Sequence, residues 1–150
     1  MTLVLNKIPY QLRLFDTAGQ EDYDKLRPLS YPRTDVFLIC FAIDSPDSYL
    51  HVTTKWAPEL KHYNPDTPFV LVGTKADLRN DAATLEKMSK SNQKPISQEL
   101  GSKLAREIRA SLYIECSALT QGNLKNVFEE SVKIAGKIRK KSKKRFCVIL

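Results

Sequence analysis

Apolar and polar residues alternate along Tyr10–Phe15, where Leu12 and Leu14 interleave with Gln11 and Arg13. A period of two places neighbours on opposite faces and reads as a half-buried strand. Thr2–Leu5, the polar pair Asn6-Lys7 and the run from Ile8 to Phe15 together predict a two-stranded hairpin, with Pro9 suited to an edge or a strand start. Three further runs are almost unbroken. Val36–Ile43 is eight apolar residues between two aspartates, and Phe69–Gly73 and Leu112–Cys116 are shorter versions. Such runs predict strands covered on both faces, as in parallel sheets. Helical spacing lies between them. One helix is expected from about Ser48 to Lys61, ended or kinked by Pro58, with Trp56 packing inside it. A second is capped by Ser97 and carries Leu100, Leu104 and Ile108. A third starts after Gly122-Asn123 and puts Leu124, Val127, Phe128, Ser131, Ala135 and Ile138 on one face. Leu85 and Met88 predict a short solvated helix within Arg79–Lys94. Strands alternating with helices give an α/β fold: a mostly parallel sheet flanked by helices, with the hairpin adding one antiparallel edge strand.

Composition narrows the class. The 150 residues are enough for one domain with a sizeable core, and 42% hydrophobic with 27% charged is a globular balance. Cys40, Cys116 and Cys147 have neither metal nor disulfide spacing, which fits a reducing compartment, and Cys40 is expected as a small core residue. His51 and His62 lack partners in any metal or catalytic pattern and read as surface residues. The net charge of +7 is unevenly spread. Lys137, Arg139, Lys140, Lys141, Lys143, Lys144 and Arg145 form an acid-free segment, and without these seven the chain has 17 basic and 17 acidic residues. The basicity therefore belongs to the tail and does not mark a nucleic-acid-binding domain.

Each of three strands ends in a polar cluster. Asp16-Thr17-Ala18-Gly19-Gln20 follows the first, Thr74-Lys75-Ala76-Asp77 the second and Ser117-Ala118-Leu119 the third. Open α/β sheets bind ligands at the carboxyl ends of their strands. An aspartate there can hold a metal ion, a glycine lets a backbone N–H approach a phosphate, and a glutamine can orient a water. A second aspartate can accept two N–H bonds from a guanine edge while a lysine stem covers the base. Backbone N–H groups at Ser117-Ala118 can donate to the guanine carbonyl. Singly each cluster is weak; the ordered set is strong.

In this order the clusters resemble those of the small GTPases. The stretch Asp16–Pro32, DTAGQEDYDKLRPLSYP, and the charged insertion Arg79–Pro95 are similar to the Rho family. Phe15 before the DTAGQ, Gln93-Lys94-Pro95-Ile96, and Glu115 to Gln121 are most similar to its cell-division-control branch. The resemblance implies a Ras-like P-loop NTPase fold, with residues 1–136 as a partial G domain, an insert region at 79–95 and a polybasic tail at 137–150. It implies GTP and GDP as ligands, with Mg2+ held through water by Asp16, and Gln20 as the catalytic residue that orients the attacking water. Thr17, Ala18 and Gly19 would face the phosphates; Thr74, Lys75, Asp77, Ser117, Ala118 and Leu119 would face the base. Tyr23, Leu26, Arg27 and Leu29 would form a partner surface in the second switch. Exchange factors, GTPase-activating proteins, a dissociation inhibitor and effectors are the implied partners, in signalling to the actin cytoskeleton and cell polarity.

The resemblance also implies an earlier strand, a G-x-x-x-x-G-K-[ST] phosphate loop, a helix and a first switch. None of Gly19, Gly73, Gly101, Gly122 or Gly136 has that spacing. The expectation is a chain truncated at its N-terminus, with two buried strand edges left unpaired or the gap closed, impaired folding, and absent or impaired hydrolysis. The rival reading is a truncated, non-catalytic binding module. The tail ends Phe146-Cys147-Val148-Ile149-Leu150, a prenylation pattern whose terminal leucine favours geranylgeranyl at Cys147. One lipid plus a basic run is a two-signal anchor for an anionic membrane. The expected location is the cytoplasmic face of membranes, above all the plasma membrane, with a cytosolic pool. No nucleic-acid partner is expected, since Phe146 is the tail's sole aromatic.

Overall fold

A computed structural model describes residues 1–139 and 148–149. The core of its main sheet is three parallel strands, β4 (Val36–Ala42), β5 (Phe69–Thr74) and β6 (Leu112–Glu115). Strands β1 (Thr2–Leu5) and β2 (Ile8–Gln11) precede them, then β3 (Leu14–Phe15). A last strand, β7, is Val148–Ile149. The five-stranded order is β3-β7-β4-β5-β6, parallel throughout. The α/β expectation therefore holds.

The alternation within β4 divides the core. Val36 and Leu38 face one layer, packed with Val70, Val72, Ile114 and helix α5 (Leu124–Arg139) through Val127, Val132 and Ala135. Phe37, Ile39 and Phe41 face the other, with Leu71, Val52, Leu60 and helix α4 (Gln98–Glu107) through Leu104 and Ala105. Ser97 caps α4, its Oγ accepting from the Leu100 N–H at 3.2 Å. Leu100 itself is exposed, so the apolar stripe of α4 is narrower than its sequence spacing predicts. Helix α3 (Ala82–Lys90) buries Met88 and leaves Leu85 outside. Both histidines are exposed, as expected.

Four expectations change. The hairpin closes at Asn6-Lys7, both at positive φ, but its second arm stops at Gln11. Leu12 turns into the core beside Leu3, and this inward residue separates β2 from β3. The hairpin is accordingly a two-stranded sheet of its own, not an antiparallel edge of the main one. The helix expected from Ser48 to Lys61 begins at Pro46 as α1 (Pro46–His51), passes through a π-helical turn at Val52–Trp56 and continues as α2 (Ala57–Tyr63). Pro58 has no N–H to give, and the ladder adjusts just before it: the Ala57 N–H reaches the Val52 carbonyl, five residues back. Cys40 is exposed although Val36–Ile39 and Phe41 around it are buried. It follows Val36 and Leu38 on one face of β4 and opens onto a cavity lined also by Asp16, Thr17 and Gly19. Finally, the two alternatives expected at the gap combine: β7 lies between β3 and β4 and pairs with Val36 and Phe37, while among the described residues no strand covers that edge of β4 from Leu38 to Ala42. The run Lys140–Arg145 and the lipidation residue Cys147 fall outside the described residues.

Candidate guanine-nucleotide site

All the main-sheet strands are parallel, so the three polar clusters lie on one rim. Asp16–Gln20 follows β3, Asp44 follows β4, Thr74–Asp77 closes β5, and Ser117–Leu119 follows β6. β5 and β6 are neighbours, which brings the base-side residues together. Cys116 N–H bonds the Gly73 carbonyl at 2.8 Å, and Ala76 N–H bonds the Cys116 carbonyl at 3.0 Å. This lacing sets Asp77 beside Ser117, whose hydroxyl donates to Asp77 Oδ1. The same Ser117 Oγ accepts from Thr120 N–H at 3.1 Å. Among the described residues Asp77 Oδ2 accepts no hydrogen bond, so one acceptor stays available at the rim.

Lys75 adopts a left-handed conformation, φ 58° and ψ 38°. A lysine there costs about 1–3 kcal/mol and persists only where its surroundings enforce it. Its ammonium lies 3.3 Å from Asp44 Oδ1, across the end of β4. Thr74 is less free than expected, since its Oγ1 donates to the Phe41 carbonyl at 3.0 Å and ties β5 to β4. The Ser117 N–H is spent on the Gly122 carbonyl at 2.9 Å, which leaves Ala118 N–H as the rim donor. Leu119, which follows them in the same loop, is 83% exposed.

The phosphate-side cluster stands apart from the base side. With β7 and β4 between them, β3 and β5 are three strand spacings apart, roughly 14 Å. Asp16, Ala18, Gly19 and Gln20 are exposed, and Asp16, Thr17 and Gly19 line a cavity of about 230 Å³ that reaches Arg27, Cys40 and Trp56. A wider groove of about 600 Å³ follows β6 between α4 and α5 and meets the site at Ala76, Asp77 and Ser117.

Arg27 holds the loop. It is 5% exposed, not on a partner surface as expected. Its guanidinium makes a bidentate pair with Glu59 at 3.0 and 2.7 Å, reaches Asp24 at 2.6 Å and donates to the Ala18 carbonyl at 2.9 Å. Trp56 covers it, 4.8 Å from ring centroid to guanidinium carbon. Lys55 Nζ donates to the Gly19 carbonyl at 3.2 Å. In a trans peptide the carbonyl and the next N–H point opposite ways. Arg27 and Lys55 therefore turn the N–H groups of Gly19 and Gln20 away from the helix, toward the open side. Tyr31 also donates to Glu59, and burial followed by that contact raises the phenol above its ordinary pKa. Tyr23, Leu26 and Leu29 are 44, 58 and 73% exposed, as a partner surface needs. Nothing in the sequence pairs Arg27 with Glu59, 32 positions apart, and the same holds for Arg79 with Glu115.

The Ras family model matches residues 1–137. The chain belongs to the Ras family. Ras-family proteins are small GTPases, binding GTP or GDP with Mg2+ and acting as switches through regulators and effectors. The donor set can be judged against that ligand. The Asp77 acceptor and the Ala118 N–H suit a guanine edge. Asp16 offers one carboxylate, and among the described residues no group of three acidic, His or Cys side chains could hold a metal. Magnesium is ordinarily held by one or two carboxylates together with substrate phosphates, so Asp16 fits it only with nucleotide present.

The Ras-family rim also carries an acid-sensitive brace. Arg79 pairs with Glu115 through two 2.6 Å bonds, and Tyr113 donates to the same carboxylate at 2.6 Å. Burial would raise the Glu115 pKa, but the Arg79 and Tyr113 bonds outweigh it and hold the carboxyl below its ordinary 4.5. A depressed carboxylate stabilises fully above its unfolded pKa and less as pH falls through the folded one. Chain stability should thus decline as pH drops below about 4.5. Glu115→Gln should cost about 1.5–3 kcal/mol at pH 7 and flatten that decline. Urea midpoints measured from pH 7 to 3 check it; identical slopes for both proteins would contradict the assignment.

Proposed function

We propose that this Ras-family chain is a Rho-type switch of the cell-division-control kind, reading guanine through Asp77. The observation that carries the reading is the Ser117–Asp77 bond at the β5–β6 rim, which fixes one carboxylate oxygen and leaves the other for the ligand. Lys75 would cover the base, with Thr74 supporting it and the Ala118 N–H meeting the guanine carbonyl. On the phosphate side, the Gly19 N–H would meet the γ-phosphate and Gln20 would orient the attacking water. Orienting that water is what the glutamine of Ras-family GTPases is known to do, so the role comes to Gln20 by family membership. Asp16 would hold magnesium through water. The metal, when bound, neutralises charge developing on the phosphates. Exposed Tyr23, Leu26 and Leu29 would meet regulators and effectors in signalling to the actin cytoskeleton. Because the 150 residues contain no G-x-x-x-x-G-K-[ST] loop, the phosphates would find few donors in these residues alone. The experiment is titration with guanosine and adenosine nucleotides; equal binding of both would set the reading aside.

The proposed location is the cytoplasmic face of the plasma membrane, through a geranylgeranyl group on Cys147 and the basic run before it. Each basic side chain near an anionic leaflet contributes about 1 kcal/mol. Without lipid that attraction is screened by salt. Cys147→Ser should therefore shift the protein from membrane to soluble fractions at raised salt; stable membrane binding of the serine variant would refute the anchor.

A further inference from the structure

The ends of β4 and β5 are laced as closely as those of β5 and β6. Ile43 N–H bonds the Thr74 carbonyl at 3.0 Å, and Thr74 Oγ1 donates back to the Phe41 carbonyl, also at 3.0 Å. This sets Asp44, just past β4, beside Lys75, just past β5. The Lys75 ammonium lies 3.3 Å from Asp44 Oδ1 and donates to Oδ2 at 3.4 Å. Oδ1 is shielded from solvent and, among the described residues, accepts no hydrogen bond. A carboxylate oxygen withdrawn from water needs a counter-charge close by, and Lys75 supplies it. The lysine side chain itself is 55% exposed, so the demand that holds the pair together comes from the aspartate. We propose that Asp44 is a positioning residue for base recognition: it anchors the Lys75 ammonium at the end of β4, so that the lysine stem lies across the rim before a guanine base arrives. This inference rests on the guanine reading above.

The backbone at Lys75 serves the same end. Its left-handed φ of 58° turns the chain sharply out of β5 into the short 3-10 helix Ala76–Asn80. Leu78 N–H closes that turn on the Lys75 carbonyl at 2.9 Å, and Ala76 N–H ties it to the Cys116 carbonyl at 3.0 Å. The near end of the side chain is therefore fixed by the backbone and the far end by Asp44. Between them the stem spans the gap from β5 to β4, roughly 5 Å, two residues before the acceptor at Asp77. Lysine has a flexible four-carbon stem, and an unanchored one must be ordered when a base stacks on it. An anchored stem is ordered in advance, which lowers the entropic cost of binding. Guanosine carries no charge, so the Asp44 carboxylate acts on it chiefly through where it holds that stem.

The test is titration of the intact chain with guanosine, 9-methylguanine and adenosine, read from backbone amide shifts. Asp44→Asn, Asp44→Glu, Lys75→Met and the double variant Asp44→Asn with Lys75→Met run beside the unaltered protein, each with a urea midpoint. Asp44→Asn should weaken both guanine ligands about three- to tenfold, the factor that ordering one long side chain represents. Asp44→Glu keeps the charge and should recover most of that loss. Lys75→Met keeps an unbranched stem without its anchor and should lose as much as Asp44→Asn. The double variant should lose no more than either single one, because both remove the same contact. Additive losses, or a lowered urea midpoint with unchanged affinity in the folded Asp44→Asn chain, would overturn the positioning role. So would a loss confined to guanosine, because Asp44 would then be meeting the ribose and not the lysine. An unaltered chain that prefers guanosine to adenosine, with unchanged affinity in Asp44→Asn, would overturn this inference alone. No such preference in the unaltered chain would overturn the guanine reading and this inference with it.

Discussion

Arg27→Ala should destabilise the chain by about 3–5 kcal/mol, the usual cost of removing one partner from a buried ion pair. The side chain is 2% exposed and Glu59 14% exposed, so the remaining carboxylate cannot recover its hydration. The loss spreads further than one pair, because Asp24, the Ala18 carbonyl and the Trp56 ring all lose the same guanidinium. Arg27→Lys should rescue little, since a point-like ammonium cannot make the bidentate contact and reach Ala18 as well. The double variant Arg27→Met with Glu59→Leu should lose less than Arg27→Ala alone, because no charge is left stranded. Urea midpoints measure all three. Amide exchange at Tyr23 and Asp24, whose N–H groups bond the Gln20 and Glu21 carbonyls, should rise in Arg27→Ala even under strongly folding conditions, as the loop loses its anchor. A loss under about 1 kcal/mol with unchanged exchange would refute the positioning role.

Asp77→Asn should reverse the preferred base. Asp77 offers only acceptors: Oδ2 is open and Oδ1 keeps a second lone pair beside the Ser117 hydroxyl, so the carboxylate matches the paired N–H donors of guanine. Asparagine presents one donor and one acceptor, which match the reversed edge of xanthine. Guanosine nucleotides should weaken by about 1–3 kcal/mol, the cost of an unpaired group at a formed site, and xanthosine nucleotides should gain. The Ser117 hydroxyl is the internal control. It donates to Asp77 Oδ1, so Ser117→Ala should weaken guanosine binding without changing which base is preferred. Competition titration of the two bases against both variants reads the result. Unchanged base preference in Asp77→Asn would remove Asp77 from the site.

The sequence carried the layers of the fold well and its connections poorly. The run Val36–Ile43 announced a strand buried on both faces, and the two core layers follow its alternation residue by residue. Cys40 broke that pattern because it opens onto a cavity shared with the Asp16–Gly19 loop, which no local spacing encodes. Leu12 looked like one more beat of a strand; its inward turn ends the hairpin instead. The rim clusters were legible because each sits where a parallel strand stops. What they spend their hydrogen bonds on was not. Ser117 gives its N–H to Gly122, and Thr74 gives its hydroxyl to Phe41. Arg27 read as a surface charge in a charged loop, because its partner Glu59 lies on a helix 32 residues later. The two-residue strand β7 had no signal at all, since its aliphatics already read as a lipidation pattern.

A guanine-reading edge built by β5 and β6, with few phosphate donors in the 150 residues themselves, is the central claim. Base contacts must overcome an association cost of at least about 4 kcal/mol, and charge-assisted bonds to phosphate are what ordinarily do so. Calorimetric titration of residues 1–150 with guanosine, GTP and ATP, with and without magnesium, tests this most directly. The expected result is weak binding of guanosine and GTP with similar affinities, no magnesium dependence, and weaker binding still of ATP. GTP binding many-fold tighter than guanosine and strengthened by magnesium would contradict it.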